Sequence, residues 1–205
     1  MPSRRTTVLN LGPAIRLTTG LLALFWALEA ADQWLLGEAL DAYGIRPKSR
    51  DGLWGILFAP FLHGGFGHLG ANSMPFLVLG TLVALGGRLE FLEVSLVIVF
   101  LGGLGTWLCS PAGTVHIGAS GVIFGYFGFL MARGLLELDL RAILIAIGVG
   151  FLYGGMIWGV LPSQPEVSWQ GHLFGFLGGA VFAWARRGRH RSSPARSQRD
   201  RRRRG

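Results

Sequence analysis

Three short stretches of this sequence combine a candidate nucleophile, a candidate base and polar hydrogen-bond donors. Ser120 stands among small residues in GASG (118–121), His172 lies in GHLFG (171–175), and HGGFGHLGAN (63–72) precedes both. A neutral serine is a poor nucleophile unless a base within about 2.6–3.2 Å takes its proton. Histidine suits that role because its unperturbed pKa is about 6.5. These residue types therefore predict acyl-transfer chemistry, with Ser120 as nucleophile and His172 as general base.

Two side chains of the earliest stretch could stabilise the negative charge that develops in such a reaction. His68 and Asn72 are four residues apart and therefore share one face of a helix. Asn72 offers N–H donors and His68 can offer one, so both could point at a developing oxyanion. The backbone N–H of Ser120, unpaired at the start of a helix, is a candidate third donor.

No carboxylate is placed by the sequence to orient His172. The acidic residues considered for that role are Glu29, Asp32, Glu90 and Glu166, in the predicted spans and loops. We therefore predict a Ser–His dyad rather than a triad, with the imidazole held by packing against aromatic neighbours. His116, in the loop just before Ser120, is interpreted as a solvated loop residue.

The composition indicates a membrane protein with one membrane domain. Hydrophobic residues make up 51% of the 205 residues and charged residues only 15%, whereas soluble domains carry roughly 25% charged residues. Glycine accounts for 33 residues, an excess that predicts close contact between helix backbones. The net charge of +8 gathers mainly in an arginine-rich tail, which is typical of a disordered topology anchor rather than of a nucleic-acid-binding domain.

Six segments are long enough to cross about 30 Å of hydrocarbon at about 1.5 Å per residue. They are predicted at 14–36, 67–86, 91–108, 118–136, 140–161 and 169–186. The fold class is therefore all-α, a polytopic six-helix membrane bundle with a long first outer loop. The second and fourth segments are weak by hydropathy, and polar residues inside a membrane need a functional explanation. The chain divides into a cytoplasmic segment (1–13), the membrane domain (14–187) and a disordered cytoplasmic tail (188–205).

The segments with Ser120 and His172 both carry small residues at helical spacing. The two faces consist of Gly121, Gly125 and Gly128 on one segment, and of Gly175 and Gly179 beside His172 on the other. Because such faces let helix backbones touch, they predict that Ser120 and His172 come together.

The distribution of Lys and Arg predicts the orientation. Arginines near the N-terminus, in the second and fourth connections and after the sixth segment all fall on one side of a six-span protein. The connections at 109–117 and 162–167, on the other side, carry neither Lys nor Arg. Both termini are therefore predicted to be cytoplasmic in a multi-pass protein of the plasma membrane. The four candidate side chains then share one depth in the outer leaflet.

The three stretches in their order, with GHLFGFLGG extending the last one, resemble the rhomboid family of intramembrane serine proteases. The resemblance covers residues 54–184. It implies a six-helix core that cleaves transmembrane segments of membrane-protein substrates in the lipid bilayer, near small helix-destabilising residues. It also implies Ser120 as nucleophile, His172 as general base, and His68 and Asn72 as oxyanion-side residues. No cofactor is predicted.

Other positions match the family pattern in a supporting role. The predicted supporting and packing residues are His63, Gly118, Gly121, Phe124, Gly175 and Gly179. Many relatives carry Tyr one turn after the serine, whereas Phe124 here can stack on the histidine but not hydrogen-bond. Glu90 matches a family glutamate at the inner end of the second helix.

The main alternative is a catalytically inactive rhomboid-like protein that binds or chaperones membrane helices. Loss of the serine or the histidine would favour it, and both are present. A transporter would predict inverted repeats, and the sequence shows no internal repeat. A metal site of outer-side histidines is not predicted, because no His-Glu or His-x-x-x-His pattern supports it. The substrate and the oligomeric state stay open.

Overall fold

The computed structural model describes residues 11–137, 139–162 and 167–187. Seven α-helices account for most of them: α1 (Leu11–Ala31), α2 (Gly55–Phe58), α3 (Phe66–Ala84), α4 (Arg88–Cys109), α5 (Ser120–Glu137), α6 (Leu140–Tyr153) and α7 (Trp169–Arg186). These ranges contain helices and turns but no β-strand, so the all-α prediction is confirmed. The predicted tail at 188–205, and residues 1–10 of the predicted N-terminal segment, lie outside the described residues.

Each of the six predicted segments corresponds to one long helix. α1 continues through a π-helical stretch (Asp32–Leu36) and α6 through 3₁₀ turns (Gly154–Val160). Four described stretches are long and apolar enough to cross a membrane: Leu11–Leu36, Phe66–Ala84, Arg88–Cys109 and Leu140–Val160. α5 and α7, at 18 residues each, fall outside this set, because glycine and polar side chains lower their hydropathy. The helices that carry Ser120 and His172 are therefore less apolar than the other four.

α5 and α7 meet along a row of glycines. A Cβ atom at Gly175 would lie less than 3 Å from the carbonyl oxygen of Gly121, and one at Gly179 would meet the carbonyl of Gly125 as closely. A Cβ atom at Gly128 would likewise lie less than 3 Å from the carbonyl oxygen of Phe176. Any larger residue at these positions would push the two backbones apart, so the small-residue faces are what allows this contact.

The residues between α1 and α3 pack onto the chain just before α5. This connecting segment (37–65) contains α2 and several single 3₁₀ turns. Ile45 and His116 exchange two backbone hydrogen bonds of 2.9 Å, and the Gly118 N–H donates to the Ala59 carbonyl at 2.9 Å. The loop that leads into Ser120 is thus fixed through its backbone.

α5 is fixed along its length by a buried tyrosine and, at its far end, by an ion-pair cluster. Tyr126 is fully buried, and its hydroxyl lies 2.7 Å from that of Ser95 on α4. Arg133 donates to Glu90 at the start of α4 and to Glu137 one turn further along α5. α5 is therefore anchored at the end opposite Ser120 as well.

Candidate active site

Ser120 and His172 form a hydrogen bond at the starts of their helices. The distance between Ser120 Oγ and His172 Nε2 is 2.9 Å, within the range that a nucleophile and its base need. Ser120 is the first residue of α5 and is half-buried, while His172 on the first turn of α7 is buried. Gly118 enters α5 with a φ of 110°, which side-chain-bearing residues rarely adopt. The predicted approach of the two side chains is present.

The ring of His172 is fixed on its other nitrogen and on one face. Nδ1 lies 2.9 Å from the backbone carbonyl of Gly159. Because a carbonyl oxygen only accepts hydrogen bonds, Nδ1 carries the proton and Nε2 is left to accept from Ser120. Phe124 stacks on the imidazole with the ring centroids 4.0 Å apart and the planes 6° from parallel. Aromatic packing is present as predicted, but the prediction did not include the Gly159 carbonyl.

Gly159 lies in the 3₁₀ turns that follow α6, outside the three motif stretches. A Cβ atom at this position would come 2.7 Å from the Phe124 ring and 3.3 Å from His172 Nδ1. Its carbonyl stands where the carboxylate of a Ser–His–Asp triad would be. Sequence reasoning missed it because any residue has a carbonyl and only the fold decides where it points.

His68 and Asn72 lie on the first two turns of α3. Asn72 is buried, and its Nδ2 donates to the backbone carbonyl of His68 at 2.9 Å. His68 Nδ1 accepts from the Gly64 N–H at 3.4 Å, and its ring packs so closely on Gly118 that a Cβ there would meet it at 2.7 Å. The ring of His68 is thus next to the loop that leads into Ser120, and Asn72 lies one turn further along α3. The hydrogen bonds of the His68 ring and of the Asn72 amide are therefore both made to nearby backbone, at Gly64 and at the His68 carbonyl.

His63 connects the start of α3 to the residue before the serine. The side chain is 1% exposed, and its Nε2 accepts the Ala119 N–H at 3.2 Å. Burial, together with the nearby His68, lowers the pKa of His63 to about 4. The ring is therefore neutral at pH 7 and serves as a fixed acceptor, which agrees with the supporting role predicted for it.

The interpretation of His116 as a solvated loop residue is wrong. Its ring is half-buried between Thr114, with Nε2 2.9 Å from Oγ1, and Ser168, with Nδ1 2.6 Å from Oγ. Ser168 is the N-cap of α7, the helix that carries His172. A lone histidine in a loop has no periodic pattern from which such packing could be predicted.

A small cavity lies behind the serine between α4, α5 and the connecting segment. Its volume of about 50 Å³ is enough for one or a few water molecules. The polar side chains in its wall are those of Ser120, Ser168, His116 and Thr106. Within the described residues, no three His, Cys, Asp or Glu side chains are grouped as metal ligands.

Comparison with known proteins identifies the class to which this fold and site belong. A family model described as the Rhomboid domain matches residues 50–189. The chain therefore belongs to the rhomboid family, as the motifs predicted, and with its apolar helices it is an integral membrane protein.

Three relatives illustrate the range of similarity. The chain is 47% identical over 171 residues to the uncharacterized protein Rv1337 of Mycobacterium tuberculosis, which covers 80% of this chain and 71% of the relative. It is 31% identical over 190 residues to the putative rhomboid protease YdcA of Bacillus subtilis, covering 87% and 90%. It is also 31% identical over 176 residues to the rhomboid protease GluP of the same organism, covering 80% of this chain and 32% of that longer protein.

Proposed function

We propose that this protein is an intramembrane serine protease that cleaves transmembrane segments of other membrane proteins. The observation that carries the proposal is the Ser120–His172 hydrogen bond of 2.9 Å, with Gly159 fixing the tautomer that makes His172 a base toward Ser120. Family membership supports the same reaction class, because two of the similar proteins are named as rhomboid proteases.

In the first half of the proposed reaction, Ser120 Oγ attacks the scissile carbonyl carbon while its proton passes to His172 Nε2. The tetrahedral intermediate then collapses, the C–N bond breaks, and the leaving amine takes the proton from His172. Ser120 is left as an ester with the N-terminal part of the substrate. In the second half, a water molecule gives a proton to His172 and attacks the ester carbonyl. The C–O bond to Ser120 then breaks, Ser120 Oγ takes the proton back from His172, and the N-terminal part of the substrate leaves as a carboxylic acid.

The negative oxygen of the tetrahedral intermediate needs donors that are already in place. The backbone N–H of Ser120 has no helical partner, because the first N–H groups of a helix lack one. Asn72 has a second N–H besides the one given to the His68 carbonyl. His68, whose ring lies against Gly118, is the third proposed donor.

The proposal includes a six-span arrangement of the membrane domain at 14–187, with both termini in the cytoplasm and the site opening to the outside of the plasma membrane. Two hydrogen bonds support a common level for the starts of α3, α5 and α7, those between His63 and Ala119 and between Ser120 and His172. A helix whose polar residues line a protein interior can cross a membrane with moderate hydropathy. Substrates that present a transmembrane segment would reach the site at that level.

The experiment is cleavage of model transmembrane substrates by the purified protein in detergent and in liposomes. We expect wild-type protein to cut some of them and Ser120→Ala to cut none, with an unchanged melting temperature. Ser95→Ala is the matched control, because it removes a serine hydroxyl from the same domain, where Tyr126 is its partner. Binding of the substrates without cleavage by wild-type protein would instead support the helix-binding alternative.

A further inference from the structure

A second side-chain hydrogen bond accompanies the one between Ser120 and His172. Both connect the region around the start of α5 with the start of α7. The first is Ser120–His172, and the second connects His116 Nδ1 with Ser168 Oγ at 2.6 Å. Both pairs are separated by 52 residues, since His116 precedes Ser120 by four residues and Ser168 precedes His172 by four. The His116–Ser168 hydrogen bond therefore lies beside the Ser120–His172 bond, four residues earlier in both segments.

Ser168 controls the first turn of α7 through both its side chain and its backbone. Its Oγ accepts the Gly171 N–H at 3.2 Å, and its carbonyl accepts the His172 N–H at 3.1 Å. An N-cap of this kind defines where the helix begins. A displacement of Ser168 would therefore be passed directly to the residue that carries the imidazole.

The hydrogen atoms around His116 can be assigned so that each donor has an acceptor. The Thr114 hydroxyl donates to the Pro111 carbonyl at 2.8 Å, so its oxygen accepts from His116 Nε2–H. Nδ1 then accepts the Ser168 hydroxyl proton, which leaves the Ser168 oxygen free for Gly171. Burial lowers the pKa of His116, which favours this neutral form.

His116 is itself held in place by backbone contacts. Its N–H and carbonyl both pair with Ile45 at 2.9 Å. The link from His116 to Ser168 therefore starts from a fixed point in the connecting segment, on the same stretch of chain that leads into Ser120.

We propose that His116 is a positioning residue that fixes the first turn of α7 through Ser168, and with it the ring of His172 relative to Ser120. The inference rests on the proposed protease function. The glycine contact between α5 and α7 sets how closely the helices approach, but smooth glycine faces have no side chains to fix rotation or sliding. A directional hydrogen bond beside the dyad supplies that restraint.

The matched variants are His116→Leu and His116→Asn, whose side chains have the same branching. Asn keeps an acceptor near the place of Nδ1, whereas Leu has none. We expect His116→Leu to lower kcat, and the rate at which a small fluorophosphonate labels the protein, by about tenfold or more, because small misplacements of reacting groups are costly. KM and melting temperature should change little, and His116→Asn should recover most of the labelling rate.

A second variant keeps the proposal testable if His116→Leu fails to fold. Ser168→Gly removes the hydroxyl that reaches His116 while glycine remains an acceptable N-cap, so it should slow labelling to a similar extent. The double variant His116→Leu/Ser168→Gly should be no slower than the worse single variant.

Labelling of both variants at the wild-type rate would overturn the proposal. So would a loss of activity that follows only the fraction of unfolded protein and is not recovered by Asn. Wild-type protein that neither reacts with the probe nor cleaves any substrate would contradict the protease function itself, which is a different outcome.

Discussion

The two sides of the candidate site are built in different ways. On one side, α5 and α7 touch through glycines that leave no space for a Cβ atom, and Ser120 and His172 are already hydrogen-bonded. On the other side, Gly67 and Gly70 of α3 have open space around them, and the Asn72 amide donates to a carbonyl of its own helix. The proposed nucleophile and base are held together by backbone packing, whereas the proposed oxyanion donors lie on a helix with free space beside it.

This difference indicates where the site can adjust. A substituent on α5 or α7 near the dyad would have to move a backbone, but one on the open face of α3 would not. The predictions below test that contrast, beginning with the largest expected effect.

Gly179→Ala should damage both fold and activity, because its Cβ would collide with the Gly125 carbonyl. Overpacking costs about 1–3 kcal/mol and occasionally more, and here the neighbour is backbone, which cannot change rotamer. We expect a large drop in melting temperature and loss of substrate cleavage. Gly70→Ala on α3 is the matched control and should leave the melting temperature unchanged or slightly higher, since alanine favours helix by about 1 kcal/mol. Equal melting temperatures of the two variants would contradict the difference in packing between the α5–α7 contact and the open face of α3.

Asn72→Ala and His68→Ala should lower kcat with little change in melting temperature. Removing one donor from a preorganised oxyanion site typically costs about 10²–10³ in kcat, whereas a hydrogen bond between membrane helices contributes only about 0.6 kcal/mol to stability. The His68 variant should also lose some stability, because the ring of His68 packs against Gly118. Turnover and melting temperature are compared for each variant, and activity that falls only with the folded fraction would make both residues structural.

The sequence was sufficient to predict the helices and the approach of Ser120 to His172, but not the contacts that orient the imidazole. α7 begins and ends at the predicted residues, and α5 begins two residues after the predicted start, because hydrophobic runs and glycine spacing are local patterns. The Gly159 carbonyl, the Ser168 cap and the packed ring of His116 were not predicted. They depend on how turns and loops fold back onto the helix starts, and neither a backbone carbonyl nor a single loop histidine has a distinctive pattern.

Phe124→Leu should reduce kcat by about 2-fold to 13-fold, because a stacked aromatic pair contributes about 0.5–1.5 kcal/mol beyond its buried area. The stack on His172 is nearly parallel, and leucine would fill the space without holding the ring plane. Phe124→Tyr, which keeps the ring, is the control and should stay within about twofold of wild type. A Phe124→Leu enzyme with unchanged kcat would mean that Gly159 alone holds the imidazole.

Asp41→Asn should have the smallest effect, a change in stability that depends on pH. Burial, together with the negative charges of Asp32, Glu29 and Glu38, raises the pKa of Asp41 to about 6. The folded protein therefore binds this proton more tightly than the unfolded chain, so the ionised carboxylate costs stability above pH 6, and that cost disappears as the pH falls towards 4. The variant should melt higher than wild type at pH 7.5, with a smaller difference at pH 5. A difference that grows on acidification would contradict the assignment.

The central claim is that Ser120 is a nucleophile activated by His172. It is tested most directly by allowing the full-length protein to react with a fluorophosphonate and locating the adduct by mass spectrometry. We expect the adduct on Ser120 alone, with labelling lost in Ser120→Ala and slowed by orders of magnitude in His172→Ala. An adduct on a different serine, or equal labelling of wild type and Ser120→Ala, would contradict the account.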